Sequence, residues 1–279
     1  MFGYGLIGQA FGQRSRAEGY GLMATARDAD KRDALTQDGI SAIDPADALA
    51  LGQAAEAASA ILITSPPTDE GCPAFEALWP YLQNVTGKWI GYLSTTGVYG
   101  DHGGGWVFED TPVNPQSREA ARRVTAENQW RSLTGHDVVV FRLPGLYGAG
   151  RSVIEKLQDG TARRIHKPDQ VFSRLYDVDA ADALWLSVEN PRAGAVYNLC
   201  DDEPAPADLV IEYAAQTYGF KLSPSILWDD PCLSPAVRRF YAENKRVSNA
   251  LAKAELGWRP RFPTYREGLA DIIRACTPQ

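Results

Sequence analysis

Short apolar runs separated by longer stretches of mixed polarity organise the chain up to about residue 200. Five of these runs, 21–26, 60–64, 89–94, 138–143 and 195–199, have the length and composition of buried strands. The stretches between them are long enough for helices. Strands alternating with helices at this spacing predict a parallel, doubly wound sheet, because each parallel connection has to cross over and its helix packs on a face of the sheet. Within 117–133, Ala121, Val124 and Trp130 recur among arginines and glutamate, which predicts a helix laid on the sheet by that face. Beyond about residue 200 the strand pattern thins. Pro204, Pro206, Pro224, Pro231, Pro235, Pro260 and Pro263 punctuate short helical stretches at 208–218 and 248–256. The expectation is an α/β fold in two parts. Residues 1–150 and 170–200 form the sheet domain, and 151–169 with 201–279 form a smaller lobe over the carboxyl ends of the strands, where open α/β sheets bind their ligands.

The chain opens Met1-Phe2-Gly3-Tyr4-Gly5-Leu6-Ile7-Gly8, a G-x-G-x-x-G followed by a helix-like stretch and the run at 21–26. In a dinucleotide-binding turn the first glycine permits the tight bend, the second lets backbone approach a pyrophosphate, and the third allows close helix contact. Taken alone, such glycines also serve merely to turn a loop. The strand and helix that follow favour a Rossmann-type site. Arg27 stands at the end of the run at 21–26, where an acidic residue would hold a ribose 2′-hydroxyl and an arginine suits a 2′-phosphate, so NADP is expected over NAD. The competing reading makes Arg27 a solvated loop residue beside Asp28, Asp30, Lys31 and Arg32. Only Met1 and Phe2 precede Gly3, so the central strand that should lead into the fingerprint is expected upstream of Met1, the alternative being that another segment fills its place in the sheet.

Composition narrows the choice of partner. The 279 residues carry a formal charge of -7, which speaks against a broad nucleic-acid or anionic-membrane footprint and for a small-molecule substrate. Cys72, Cys200, Cys232 and Cys276 are widely spaced and form no zinc or disulfide pattern, so reduced structural thiols are expected and no metal site. No apolar run reaches membrane-spanning length and no signal-peptide pattern opens the chain, which leaves the cytoplasm as the default compartment.

The densest chemistry lies in Ser94-Thr95-Thr96-Gly97-Val98-Tyr99-Gly100, where a buried run releases three hydroxyls and then a phenol. Such hydroxyls hydrogen-bond a substrate oxygen, or simply cap the strand. With the opening glycines, Glu109-Asp110-Thr111-Pro112, Arg142-Leu143-Pro144-Gly145-Leu146-Tyr147-Gly148, Asp177-Val178-Asp179, Tyr197-Asn198 and Glu255-Leu256-Gly257-Trp258-Arg259-Pro260, the chain resembles the NAD-dependent epimerase/dehydratase family of the extended short-chain dehydrogenase/reductases. The resemblance covers nearly the whole chain. It implies a Rossmann-type doubly wound parallel sheet with a smaller C-terminal substrate-binding lobe. It further implies cofactor contacts from Gly3, Tyr4, Gly5, Leu6, Ile7, Gly8, Arg27, Thr64, Ser65, Ser94 and Leu143, and substrate contacts from Thr96, Arg142, Tyr147, Arg174 and Lys245. A homodimer through the helix of 117–133 is also implied.

The family's catalytic hydroxyl carries over to Thr95, but its Tyr-x-x-x-Lys pair falls on Glu119 and Arg123. That departure matters, since the family's tyrosine moves the proton that accompanies hydride transfer. Arg123 remains able to bind ribose or phosphate but does not titrate near neutrality. Glu119, four residues away, is placed for a helical ion pair with it, and acts as a base if partly buried or sits as a plain exposed carboxylate if not. Tyr99 is the substitute acid to test first. The basic residues Arg163, Arg164, His166, Lys167, Arg174, Arg238, Arg239, Lys245 and Arg246 suggest an anionic substrate beneath the lobe, and His102 lies in the glycine-rich loop 100–105 near the expected cofactor. The sequence thus supports oxidoreduction or epimerisation at a hydroxyl or carbonyl of a sugar-like or small polar substrate. The alternative is a catalytically silent NAD(P)-binding sensor or interaction protein.

Overall fold

The computed structural model describes residues 1–276; the side chain of Cys276 and the residues after it lie outside the described residues. In chain order the strands are β1 Met23–Thr25, β2 Ser41–Ile43, β3 Ala60–Ile63, β4 Trp89–Thr95, β5 Trp106–Val107, β6 Asp137–Leu143, β7 Gly145–Tyr147, β8 Arg164–His166, β9 Arg174–Tyr176, β10 Val196–Asn198, β11 Ser225–Leu227 and β12 Arg246–Val247. The helices are α1 Leu6–Ala17, α2 Ala29–Gln37, α3 Ala48–Ala57, α4 Pro73–Leu82, α5 Arg118–Arg131, α6 Val153–Gln158, α7 Asp177–Glu189, α8 Ala207–Tyr218, α9 Pro235–Phe240, α10 Ala250–Glu255 and α11 Tyr265–Cys276.

Period-two alternation explains why the long strands carry unbroken apolar runs. Leu62, Trp89, Leu93, Val139, Phe141 and Leu143 face a core shared with Ile7 and Phe11 of α1 and Leu184 and Trp185 of α7. Their neighbours Ile61, Ile63, Ile90, Tyr92, Val138 and Val140 face Leu51 and Ala55 of α3, Leu78 and Leu82 of α4, and Trp130 of α5. Both faces are covered, so both parities must be apolar. β3, β4, β6 and β10 pair in parallel in the order β10-β6-β4-β3, and β1 pairs in parallel with β2.

Met1 and Phe2 join these two sheets. The Phe2 amide donates to Leu62 O at 2.9 Å and its carbonyl accepts from Thr64 N at 3.0 Å, while Met1 O accepts from Thr25 N at 3.0 Å. Met1 and Phe2 thus link the two sheets in the order β2-β1-(Met1, Phe2)-β3-β4-β6-β10 and lead directly into the glycine turn. A parallel α/β fold of this type is what the chain's pattern predicts, and β1, β3, β4, β6 and β10 each fall within one of the five apolar runs, or within a residue of it.

Helix α5 buries Ala120, Ala126, Glu127 and Trp130. That corrects the face expected from Ala121, Val124 and Trp130: Ala121 is exposed and Val124 half-buried. The region after residue 200 does carry strands, but they are two or three residues long: β11 pairs with β8, and β12 with β5. Ile165 of β8 packs with Ile226 of β11 and with Leu233 and Tyr241, Val107 of β5 packs with Val247 of β12, and Ile154, Leu157, Tyr176, Val210, Ile211, Tyr265, Leu269 and Ile272 form a separate core. Among the described residues no helix is long and apolar enough to cross a membrane, and no His/Cys/Asp/Glu group is disposed to hold a metal. Cys72 and Cys200 are buried free thiols and Cys232 an exposed one.

Candidate active site

The carboxyl ends of β1 and β3 meet at the turn between Phe2 and α1. Gly3 takes φ +90° there, and its N–H donates to Thr25 Oγ1 at 2.8 Å. A Cβ at Gly3 would lie 2.6 Å from Thr64 Oγ1, so the first glycine is fixed by close packing against the end of β3. Gly5 is extended, and a Cβ there would meet nothing within 4 Å: it borders open space at the head of α1.

Helices α2, α3, α5 and α9 are capped by Asp28, Asp47, Ser117 and Ser234, and α6 by a Ser152–Glu155 capping box. Helix α1 has no side-chain cap and no acidic residue in its first turn, which leaves its first N–H groups and the positive end of its dipole open. Beside this turn the Ser65 hydroxyl is buried without a partner. Tyr4, by contrast, packs with Ala24, Ala26 and Leu35.

Arg27 is exposed just beyond β1, and among the described residues its side chain makes no hydrogen bond or ion pair. Lys31, on the first turn of α2, reaches back to Tyr4 O at 2.8 Å, which sets a second cation over the glycine turn. Sequence reasoning treated Lys31 only as part of a solvated charge run; its four-residue spacing from Arg27 across the N-terminus of α2 is the signal that pairs them.

Several expected site residues turn inward. Tyr99 is fully buried: its hydroxyl donates to Asn198 Oδ1 at 2.7 Å and accepts from Arg142 at 3.0 Å. Burial raises its pKa, and its hydroxyl is engaged by Asn198 and Arg142 inside the protein rather than turned to the cleft. Arg142 is buried too, paired with Glu127 at 2.8 Å and with its guanidinium 4.9 Å from the Tyr99 ring centroid, which removes it from substrate contact. The Ser94 hydroxyl donates into the same network, to Glu127 at 2.5 Å, and so does not point to a cofactor. Lys245 is held by Gly100 O at 2.7 Å and Glu243 at 2.5 Å. The Tyr147 ring stacks on Tyr176, and its hydroxyl is buried without a partner.

The Glu119–Arg123 ion pair does not form. Glu119 is exposed on the first turn of α5, and Arg123 instead donates to Leu93 O at 2.7 Å and Tyr92 Oη at 3.2 Å. Arg123 thus stays beside the end of β4, close to where Thr95, half-buried, accepts from Gly97 N at 3.1 Å and Thr96 is buried. Leu143 is buried at the end of β6. Of the lobe's basic residues, Arg164, His166 and Lys167 line one pocket together with Asp208 and Glu212, whereas Arg238 donates to Asp230 O and Arg246 to Gly104 O. His102 rests on Tyr99 O at 3.2 Å.

Neither the Glu127–Arg142–Tyr99–Asn198 network nor Asp201 is signalled by any motif or spacing in the chain. Asp201 is 2% exposed, and among the described residues neither carboxyl oxygen makes a hydrogen bond of good geometry, although the backbone N–H groups of Glu203 and Arg174 lie near enough to favour its charged form. Burial lifts its pKa to about 7, although the charge of Arg174 acts against the rise. With an ordinary carboxyl pKa near about 4 in the unfolded chain, the native state binds more protons between these values, so stability falls as pH rises through that window. Asp201→Asn is expected to gain stability relative to the parent protein on going from pH 4 to pH 8, by roughly 2–4 kcal/mol. A difference in melting temperature that stays constant with pH would contradict this.

No family model matches the chain. Over 111 residues it is 32% identical to the protein YeeZ of Escherichia coli K12, a match covering 39% of this chain and 38% of that protein. Over 180 residues it is 29% identical to a 3-diazoavenalumate denitrifying reductase of a Streptomyces species, covering 58% and 57%. The matched parts therefore span less than two thirds of either curated relative. Among solved structures, the dTDP-glucose 4,6-dehydratase of Bacillus anthracis in complex with NAD aligns at TM-score 0.77 and 16% identity, over 98% of this chain and 94% of that one. A conserved protein of unknown function from Silicibacter pomeroyi aligns at TM-score 0.92 and 40% identity, over 98% of this chain and 97% of that one. The chain belongs to one family with the Silicibacter pomeroyi protein, and its fold is that of the NAD-dependent epimerases and dehydratases of the extended short-chain dehydrogenase/reductases.

Proposed function

We propose that this protein binds NADP(H) at the glycine turn and catalyses oxidoreduction or epimerisation at a hydroxyl or carbonyl of a small polar substrate. The observation that carries the reading is the open head of α1, set over a turn in which Gly3 is packed against β3 and Gly5 borders open space. Backbone N–H groups and the helix dipole there suit a pyrophosphate, and the unpartnered Ser65 hydroxyl adds a donor. Arg27 and Lys31 suit the additional 2′-phosphate. When bound, the cofactor supplies or accepts hydride. Thr95 orients the substrate oxygen, and Arg123 holds the ribose side of the cleft.

A second reading, a silent cofactor-binding sensor, is supported by the burial of Tyr99 and by the exposure of Glu119, the residue on which the resemblance places the family's tyrosine. One set of measurements separates the two. Titration with NADPH and NADH, followed by turnover assays across carbonyl and sugar substrates, is expected to show NADPH binding with turnover; binding without turnover supports the sensor. Arg27→Glu and Lys31→Glu are each expected to weaken NADPH binding by about tenfold or more, the loss of a charge-assisted phosphate contact, while leaving NADH within about twofold. Equal losses for both cofactors would remove the 2′-phosphate assignment.

A further inference from the structure

The turn between β1 and α2 is held by one side chain. Arg32 Nη1 donates to Ala26 O at 2.9 Å and to Arg27 O at 2.7 Å, and lies 3.1 Å from Asp44 Oδ2 just after β2. In extended chain successive residues alternate in direction, so two neighbouring carbonyls that reach one nitrogen mark a bend. This bend turns Arg27 out beyond the sheet, where it is exposed. The Asp44 carboxylate is fixed as well, since its Oδ1 accepts from Ala46 N at 2.9 Å. Asp28 is engaged by the cap of α2, where it accepts from Lys31 N at 2.8 Å.

The three acceptors gathered on Arg32 bear on any phosphate bound nearby. Ala26 O, Arg27 O and the Asp44 carboxylate each carry negative charge beside the turn where Arg27 and Lys31 suit a 2′-phosphate, and each repels one. Arg32 is the counter-charge that they share. Its Nη1 is committed to them, so it acts through the turn rather than through the ligand. The side chains of Arg32 and Asp44 are 25% and 38% exposed, so part of their field reaches across the turn without full screening by water and salt.

We propose that Arg32 and Asp44 are positioning residues that set how strongly the turn prefers NADP(H) to NAD(H). Arg32 holds the bend that presents Arg27 and cancels the acceptors around it. Asp44 opposes Arg32 and limits the positive charge left over for a phosphate. The two residues therefore act with opposite signs: losing Arg32 lowers the preference, whereas losing the Asp44 charge raises it. A purely structural ion pair has no such signature, because removing either member loosens the same turn. The inference rests on the proposed seat of NADP(H) at the glycine turn.

Calorimetric titration with NADPH and with NADH, on the parent chain, Arg32→Met, Arg32→Lys and Asp44→Asn, makes the test. Arg32→Met is expected to weaken NADPH binding by about tenfold and NADH binding by less than about threefold. Arg32→Lys keeps the charge and is expected to recover most of the NADPH loss. Asp44→Asn, whose amide oxygen still accepts from Ala46 N, is expected to tighten NADPH binding about threefold and to leave NADH within about twofold. Both NADPH effects are expected to shrink at high salt. Equal losses for the two cofactors in Arg32→Met, or weaker NADPH binding in Asp44→Asn, would overturn the inference. Asp44→Asn carries the test by itself if Arg32→Met folds poorly. A parent chain with no preference for NADPH would overturn this inference together with the NADP(H) assignment, whereas a preference that no variant moves would overturn this inference alone.

Discussion

Gly5→Ala is expected to weaken NADPH binding by about tenfold or more while moving the melting temperature by less than about 2 °C. The separation follows from the geometry of the turn. Gly5 has φ -100° and ψ -160°, extended backbone that alanine adopts without strain, and its Cβ would touch nothing in the protein. The methyl group would project into the space at the head of α1, where close approach of backbone N–H groups to a pyrophosphate requires that no side chain intervene. Gly3→Ala would not give so clean an answer. There φ is +90° and the Cβ would press on Thr64 Oγ1, so any loss of binding would come mixed with damage to the fold. Calorimetric titration of Gly5→Ala with NADPH, beside a thermal melt, makes the measurement. Unchanged affinity would show that no pyrophosphate sits at this turn.

The fold was legible in the sequence to the extent that burial on both faces of the sheet writes itself as unbroken apolar runs. β4 and β6 are the clearest cases, since every one of their positions except Thr95 and Asp137 is buried. The strands of the lobe were illegible for the opposite reason. β11 has three residues and β12 two, too short for any period to register, and they are held by single pairings with β8 and β5. The glycine turn was readable because steric demands fall on named positions. The polar site residues were not, because an arginine or tyrosine after a buried strand has the same appearance whether it faces a ligand or another strand's end. Arg142 and Tyr99 belong to the second kind, and what decides this is Glu127, fifteen positions from Arg142 on a helix whose buried face the apolar pattern misplaces. Lys31 was hidden in turn by its neighbours, since a run of charges around Asp28 and Arg32 reads as solvated surface until α2 lifts one member over Tyr4.

Arg142→Met is expected to destabilise the protein by about 3–5 kcal/mol, the usual effect of leaving one member of a buried ion pair without its partner. Side-chain exposure is 5% for Arg142 and 4% for Glu127, and the guanidinium meets both carboxylate oxygens, at 3.2 and 2.8 Å. Removing it leaves the Glu127 carboxylate with only the Ser94 hydroxyl, and takes from Tyr99 the donor to its oxygen. For a chain of this size the loss corresponds to a fall in melting temperature on the order of 10 °C. The network links the ends of β4, β6 and β10 to α5, so loosening it also loosens the base on which Thr95 and Arg123 stand. Desolvating two charges is itself unfavourable, so Arg142→Met combined with Glu127→Leu is expected to recover at least about half of the loss. Urea unfolding of both single variants and the double variant gives the coupling energy directly. If Arg142→Met lost less than about 1 kcal/mol, the value typical of an exposed pair, the network would not be what holds these strand ends together, and Arg142 would return to the candidates for substrate contact.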